Sequence, residues 1–438
     1  MSEDSIQSDT DQQVRIVVLG SGYAGVHAAR QLIKESYKGD NVEIILLSDT
    51  DHLLYVTMIY EVVAGNLAPS SIRQSVRTML DGRHVRFVQG TVTKVDLDNQ
   101  TINYMPTNVR DGETLSVGVL SLSYDYLISA IGSETEFFNI PGAAEHALSV
   151  KRLSDATRLK NKLINHFEQA VLLQDENKQR ELLSIVIVGG GPTGVTLSAK
   201  IADHLNNELT NAFPELIHLA NVTVLEASDK LLGNLGSWFS ENALQILQNK
   251  RWVQVNTGER VVEVRPDGVS CQGKFIPSRY VIWTAGVRAR EFIIISQNPV
   301  AIDEQSRRIH VTEELHIINY PNVFVAGDQS WVERPGNLPY PMRAQFAVRQ
   351  GQQAANNILH RIRGGQLEKF FWADKGVVVS LGDGHTLAEI KGFRFSGWVA
   401  TFAYKTIYLL NTVGVRAKLR AVLEWAMNLF LPRDVSEL

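Results

Sequence analysis

Two glycine turns carry the clearest chemistry in this 438-residue chain. Gly20-Ser21-Gly22-Tyr23-Ala24-Gly25 follows the apolar run Val14 to Leu19, and Gly189-Gly190-Gly191-Pro192-Thr193-Gly194 follows Ile185 to Val188. In each turn the first glycine suits a tight bend and the second lets backbone approach a pyrophosphate. The third lets the following helix pack closely on the strand. A helix opening there offers unpaired N–H groups and the positive end of its dipole to phosphate. The chemistry implied is the binding of two dinucleotides. His27, His52 and the other histidines form no metal-ligand spacing, and no Ser/His/Asp constellation stands out.

A dinucleotide fold also needs a group at the end of its second strand to hold a ribose hydroxyl. After the second turn and a helical stretch to about Leu209, the run Val222 to Leu225 is followed directly by Glu226, in register for that task. A carboxylate there repels a 2′-phosphate, so NADH is expected over NADPH. The first unit is less clear. Its helix-like stretch to Lys34 leads to the run Val42 to Leu47, which ends in Ser48-Asp49. Either Asp49 takes the acid's place or the hydroxyl of Ser48 holds the ribose.

The elements that position these turns repeat as strand, glycine turn, helix, strand, with continuous apolar runs suited to parallel strands buried on both faces. The fold class expected is α/β, with two Rossmann-like dinucleotide-binding domains and a small C-terminal α+β domain with amphipathic helices. Residues 1–13 read as a disordered lead-in. An FAD-binding domain is expected over 14–150 and 300–365, an NAD(P)H-binding domain over 151–299, and a C-terminal membrane or dimer domain over 366–438. Leu153 to Leu183 is charged, helical in period, and serves as the connector. A net charge of −4 argues against a nucleic-acid partner. The single cysteine, Cys271, excludes an internal disulfide framework and any Cys-x-x-Cys redox centre. No secretory signal is readable in the polar, acidic N-terminus, which predicts a cytoplasmic protein.

The C-terminal segment has its own pattern. From Lys391 to Arg420 there are six basic residues and no acidic one, interleaved with Trp398, Phe402, Tyr404 and Tyr408. Val415, Leu419, Val422, Leu423, Ala426 and Phe430 then recur at helical spacing. Neither stretch is an uninterrupted apolar run of the ~20 residues a spanning helix needs. A helix lying in the headgroup layer on the inner face of a membrane, or packing in the core or in a homodimer, is expected instead.

Further stretches extend the two turns into a family pattern: Tyr124-Asp125-Tyr126-Leu127-Ile128-Ser129-Ala130-Ile131-Gly132-Ser133-Glu134-Thr135, Trp283-Thr284-Ala285-Gly286-Val287, Val323-Phe324-Val325-Ala326-Gly327-Asp328, Ala344-Gln345-Phe346-Ala347 and Asp374-Lys375-Gly376. From Val14 to Phe430 the chain resembles the type II NADH dehydrogenases, single-subunit NADH:quinone oxidoreductases among the flavoproteins with two dinucleotide-binding domains. The resemblance implies FAD and NADH as cofactors and a quinone as acceptor. It implies that Asp328, after Gly327, holds the ribityl chain of FAD. Val92, Ala130 and Gly132 line the FAD side, and Ala285 and Gly286 border the nicotinamide. Gln345, Phe346 and Ala347 lie beneath the flavin ring near the quinone, with Lys375 approaching the same area.

Four positions depart from the family pattern. Thr196 stands where a glutamate implicated in the quinone pocket and proton supply is usual, and a hydroxyl cannot replace its acid–base role. Arg349 stands where a second glutamine is expected, four residues after Gln345 on the same helical face. Ser48 replaces the ribose acid, and Thr57 a common proline. Two other functions therefore stand beside quinone reduction: an NAD(P)H-dependent flavoenzyme acting on a soluble quinone-like or polycyclic substrate, and an NADH-responsive regulatory flavoprotein with little turnover.

Overall fold

The computed structural model describes residues 13–36, 41–80, 85–107, 109–110, 113–114, 118–334, 336, 338–412 and 415–427. Of the expected lead-in only Gln13 lies within them, and Phe430 of the C-terminal pattern lies outside. The chain divides into two compact units. The first takes the chain up to Leu53, then Ser75–Glu134 and Arg288–Ala373; the second takes Leu54–Gln74, Thr135–Val287 and the chain from Asp374 onward.

The first unit is built on a sheet whose five central strands are parallel, in the order Tyr320–Val325, Tyr126–Ser129, Val14–Leu19, Val42–Ser48 and Val85–Asp96. Ile16 to Leu19 and Ile44 to Leu47 have at most 1% exposure, as expected of strands covered on both faces. Antiparallel Thr101–Pro106 and Leu120–Ser123 extend one edge. The helix Tyr23–Glu35 leaves the first glycine turn and packs against the long helix Ala344–Ile362. Their approach depends on Gly351, where a Cβ would lie 2.1 Å from the Ala24 carbonyl oxygen.

The second unit repeats the plan with four parallel strands, ordered Val253–Thr257, Asn221–Glu226, Ser184–Val188 and Tyr280–Trp283. The helix Pro192–His204 follows the second turn and continues as a π turn over Leu205–Leu209, which accounts for the helical period to about Leu209. The connector forms two helices, Leu153–Val171 and Glu176–Leu183, the latter capped by the Asp175 carboxylate accepting from the Asn177 N–H at 2.9 Å. The antiparallel strands Gly376–Ser380, Thr386–Ile390 and Phe393–Ser396 are too short to bury a core of their own. Val379, Leu381 and Leu387 pack instead into the cluster of Val195, Val224, Phe239 and Leu247, so by packing the chain from Asp374 belongs with the second unit. The helices Trp398–Asn411 and Val415–Met427 follow.

Candidate functional site: two dinucleotide turns

The first turn is set by backbone bonds on both sides. The Gly20 N–H donates to the Leu47 carbonyl at 2.8 Å, and the Ala130 N–H donates to the Leu19 carbonyl at 3.0 Å. Gly20 sits at φ +95°, where a Cβ would also strike the Ala130 carbonyl oxygen at 2.4 Å. A Cβ on Gly25 would lie 1.9 Å from the Gly20 carbonyl oxygen, which is the close helix–strand contact the third glycine permits. Gly22 differs in kind: its Cβ would meet nothing within 4 Å, and it stands at the N-cap of Tyr23–Glu35 with no side-chain cap among the described residues. The helix end with Tyr23 and Ala24 in its first turn is thus a cradle that a phosphate, rather than a side chain, would complete.

The second turn has the same geometry. The Gly189 N–H donates to the Leu225 carbonyl at 2.8 Å, and the Thr284 N–H to the Val188 carbonyl at 2.8 Å. Gly189 has φ +110°, and its Cβ would approach the Ala285 Cα to 2.6 Å. A Cβ on Gly194 would sit 1.9 Å from the Gly189 carbonyl oxygen, while Gly191 is again open and uncapped among the described residues. Pro192 takes the first helical position, where its missing N–H costs nothing. Thr193 accepts a hydrogen bond from the Tyr60 hydroxyl at 3.2 Å. Both turns fit a pyrophosphate.

They differ at the ribose end. Glu226 Oε2 accepts the Gly190 N–H at 2.6 Å, and Oε1 accepts from the Ser228 N–H and hydroxyl, each at 2.8 Å. The equivalent place in the first unit is taken by Ser48, 4% exposed, whose Oγ accepts the Ser21 N–H at 3.1 Å and donates to the Ser21 hydroxyl at 2.9 Å. Asp49 points to another partner, pairing with Arg290 at 3.0 Å.

Asp328, Gly327 and the start of Ala344–Ile362 come together in the first unit. Gly327, at φ +74°, leaves room for Ala24 and Ala347, whose Cβ atoms would lie 3.0 and 3.4 Å from an added Cβ. Asp328 Oδ2 accepts the Ser133 hydroxyl at 2.6 Å, beside Gly132 at φ +79°. Phe346 is buried against Tyr340, ring centres 5.3 Å apart, with Gln345 half-buried beside it. Val92 lies within Val85–Asp96, opposite Tyr104, and packs on the sheet's core cluster.

In the second unit, Gly286 makes room for the Phe138 ring, whose nearest atom would be 2.5 Å from a Cβ. Thr196 is buried on Pro192–His204, and Lys375 is exposed at the start of the C-terminal strands. Gln345 and Arg349 belong to the first unit, Thr196 and Lys375 to the second.

Several supporting residues escape a reading of the sequence. Gln350, 1% exposed, accepts the Gly327 N–H at 2.7 Å and the Ser330 hydroxyl at 2.9 Å. Gln329, equally buried, accepts from the Ser129 hydroxyl at 2.8 Å and the Ile131 N–H at 3.0 Å, and donates to the Arg290 carbonyl. These two amides fix the Gly327-Asp328 turn against the Ala130 strand end. One helical turn after Thr196, the buried Lys200 ammonium pairs with Glu61 at 3.0 Å and Asp383 at 3.3 Å. Burial alone would lower its pKa, but the Glu61 and Asp383 carboxylates outweigh burial and raise it. A pattern of spacing could have flagged only Gln350, a polar residue on the buried face of an amphipathic helix.

Fold and turns together define an oxidoreductase of the dinucleotide-binding type. The model of the family "Pyridine nucleotide-disulphide oxidoreductase" matches residues 14–351, and the chain belongs to that family. Within it, the chain is a member of the type II NADH:quinone oxidoreductases. It is 30% identical over 431 residues to the type II NADH:quinone oxidoreductase Ndh of Mycobacterium tuberculosis, covering 96% of this chain and 89% of the relative. A probable NADH dehydrogenase of Dictyostelium discoideum is 27% identical, with 96% and 91% covered. The fold matches NDH2 of Plasmodium falciparum, solved in complex with NADH, with a TM-score of 0.87 at 19% identity, over 97% of this chain and all of that one.

Proposed function

We propose that the chain is an NADH:quinone oxidoreductase that holds FAD at the first glycine turn and NADH at the second. The observation that carries this reading is the pair of matched turns, each with an open second glycine at an uncapped helix N-terminus. FAD, when bound, supplies the two-electron chemistry between nicotinamide and quinone. The chain's residues bind and orient. Gly20, Gly22, Tyr23, Ala24 and Gly25 take the FAD pyrophosphate, Ser48 faces its adenosine ribose, and Asp328, held by Ser133, takes the ribityl hydroxyls. Gly189, Gly191, Pro192, Thr193 and Gly194 take the NADH pyrophosphate, with Glu226 selecting against a 2′-phosphate. Ala130, Gly132, Ala285 and Gly286 keep side chains away from flat rings. Gln345, Phe346 and Ala347 flank the acceptor side with Arg349 in the first unit; the roles of Thr196 and Lys375 in the second unit rest on the family pattern alone. On this reading 14–150 with 300–365 binds FAD and 151–299 binds NADH.

The membrane reading stands on the C-terminal helices. Among the described residues no helix is long and apolar enough to cross a membrane. Trp398, Phe402, Leu410, Leu419 and Leu423 are between 58 and 77% exposed, in a segment that also carries Lys391, Arg394, Lys418 and Arg420. Exposed apolar side chains among cations suit the headgroup layer of an anionic bilayer, which supports a seat on the inner face of a membrane. A homodimer through the same face is the other occupant.

Two measurements test these assignments. Purified protein should be yellow, and NADH should bleach it at least ten times more efficiently than NADPH; colourless protein overturns the FAD assignment, and equal efficiency the role of Glu226. Flotation with anionic liposomes should carry the whole chain and lose a chain truncated before Gly397. Equal flotation would remove the membrane claim, and a concentration-dependent doubling of mass without flotation would assign the face to a dimer.

A further inference from the structure

We infer that Arg349 makes this chain selective for anionic acceptors, quinones that carry an ionised hydroxyl or carboxylate on the ring. The inference rests on the proposed acceptor side of the Ala344–Ile362 helix and names the substrate class that side takes.

Gln345, Arg349 and Gln352 fall on successive turns of Ala344–Ile362, so they share one face. Arg349 is exposed there. Its guanidinium carbon stands 4.4 Å from the centre of the Trp372 ring, and Nη1 donates to Gln352 Oε1 at 2.9 Å. A stacked guanidinium with one neutral acceptor is held in place yet keeps most of its five donors for a ligand. Among the described residues no carboxylate forms an ion pair with it.

A second cation lies close by. Arg30 lies near enough, with Arg349, to act on His27. Burial first, then Arg30 and Arg349, hold the His27 imidazole down at about 4, so at neutral pH it is uncharged and adds no charge of its own. A glutamine at 349 would donate and accept hydrogen bonds without preferring either charge. An arginine fixed on an aromatic face, without a carboxylate partner, prefers an anion.

The overall reaction balances in atoms and electrons. NADH gives a hydride and becomes NAD+, water supplies one proton, and the two carbonyls of the quinone become two hydroxyls. The ring's ionised substituent is not itself reduced and serves as the group Arg349 recognises; a carboxylate keeps its charge, whereas an ionised hydroxyl, no longer conjugated to a carbonyl once the ring is reduced, takes one further proton from water.

The test compares kcat/KM for 2-hydroxy-1,4-naphthoquinone, an anion at neutral pH, with that for neutral 2-methyl-1,4-naphthoquinone, at saturating NADH on the FAD-loaded protein. Because the two quinones differ in potential, the ratio is read across variants. It should fall about tenfold in Arg349→Gln and less in Arg349→Lys, which keeps the charge without the flat stack. It should be unmoved in Arg265→Gln, which removes a positive charge paired with Asp267 in the other unit. The wild-type ratio should also decline as ionic strength rises, which a purely structural role for Arg349 would not produce. An Arg349→Gln ratio within twofold of wild type, or an equal fall in Arg265→Gln, overturns the inference while quinone reduction stands. Failure of the wild-type protein to reduce either quinone overturns the proposed function itself, and this inference with it.

Discussion

The two glycine turns share their backbone and part company one strand later. Each has a first glycine at positive φ, a third glycine whose Cβ would lie 1.9 Å from the first one's carbonyl oxygen, and an open second glycine. At the ribose end, Glu226 receives the Gly190 N–H in one and the Ser48 hydroxyl receives the Ser21 N–H in the other. The common part is what any pyrophosphate demands, whereas the strand end chooses among nucleotides. A carboxylate there distinguishes a free 2′-hydroxyl from a 2′-phosphate, which matters for a diffusible donor met in two forms. A cofactor that stays bound faces no such competition, and a neutral hydroxyl suffices.

The largest way to break this comparison is to fill the matched glycines. Gly25→Ala and Gly194→Ala should each cost about 3 kcal/mol, because the new Cβ meets backbone that cannot move aside. Their functional losses should separate. Gly25→Ala protein loses bound FAD, read from its absorbance; Gly194→Ala protein stays yellow and fails to bleach with NADH. Loss of FAD in both would mean the turns do not divide the cofactors as proposed.

An effect of similar size belongs to the second unit alone. Lys200→Met leaves Glu61 buried and unpaired and should destabilise by about 3–5 kcal/mol in denaturant unfolding, while adding Glu61→Leu should recover most of it. The Lys200 pKa is raised in the folded protein, so this contribution is complete below the ordinary lysine pKa of 10.5 and is lost as pH climbs through the folded value. An unfolding midpoint that is flat across alkaline pH in wild type and Lys200→Met alike would contradict it.

Smaller effects sharpen the strand ends. Glu226→Gln should raise the KM for NADH about tenfold and narrow the preference over NADPH, since it weakens the tie to Gly190 and, on the proposed assignment, the contact to the ribose. Ser48→Ala removes one buried acceptor from the Ser21 N–H and should cost about 1–2 kcal/mol of stability with a modest loss of FAD. Asp49→Asn should do least, below about 1 kcal/mol, because Asp49 is half-buried and paired with Arg290. Release of FAD from that variant would instead make Asp49 the ribose acid.

What was legible in the sequence follows from the same physics. Gly20, Gly25, Gly189 and Gly194 announce themselves because positive φ and backbone contact admit no other residue, and their flanking strands show as apolar runs because both faces are covered. Gln350 and Gln329 do not announce themselves. Helical spacing marks Gln350 as a polar residue on a buried face and gives no sign of Gln329, and the role of either appears only when Gly327 and the strand end at Ser129 are brought to it. Lys200, Glu61 and Asp383 come from three separated segments, so their pairing is a product of the tertiary fold. The change of pattern near residue 365 is visible as composition. That Val379 and Leu387 pack with Val195 and Phe239 is visible only in three dimensions, because short strands borrow a core from whichever neighbour the chain supplies.

The central claim is that electrons enter from a nicotinamide at the Glu226 turn and leave to a quinone by way of FAD at the Ser48 turn. Anaerobic stopped-flow absorbance tests it most directly: the yellow protein is bleached with one equivalent of NADH, then mixed with a short-chain quinone. Full return of the flavin absorbance within the turnover time is the predicted result. Prompt bleaching followed by slow reoxidation with every quinone, charged or neutral, would contradict it.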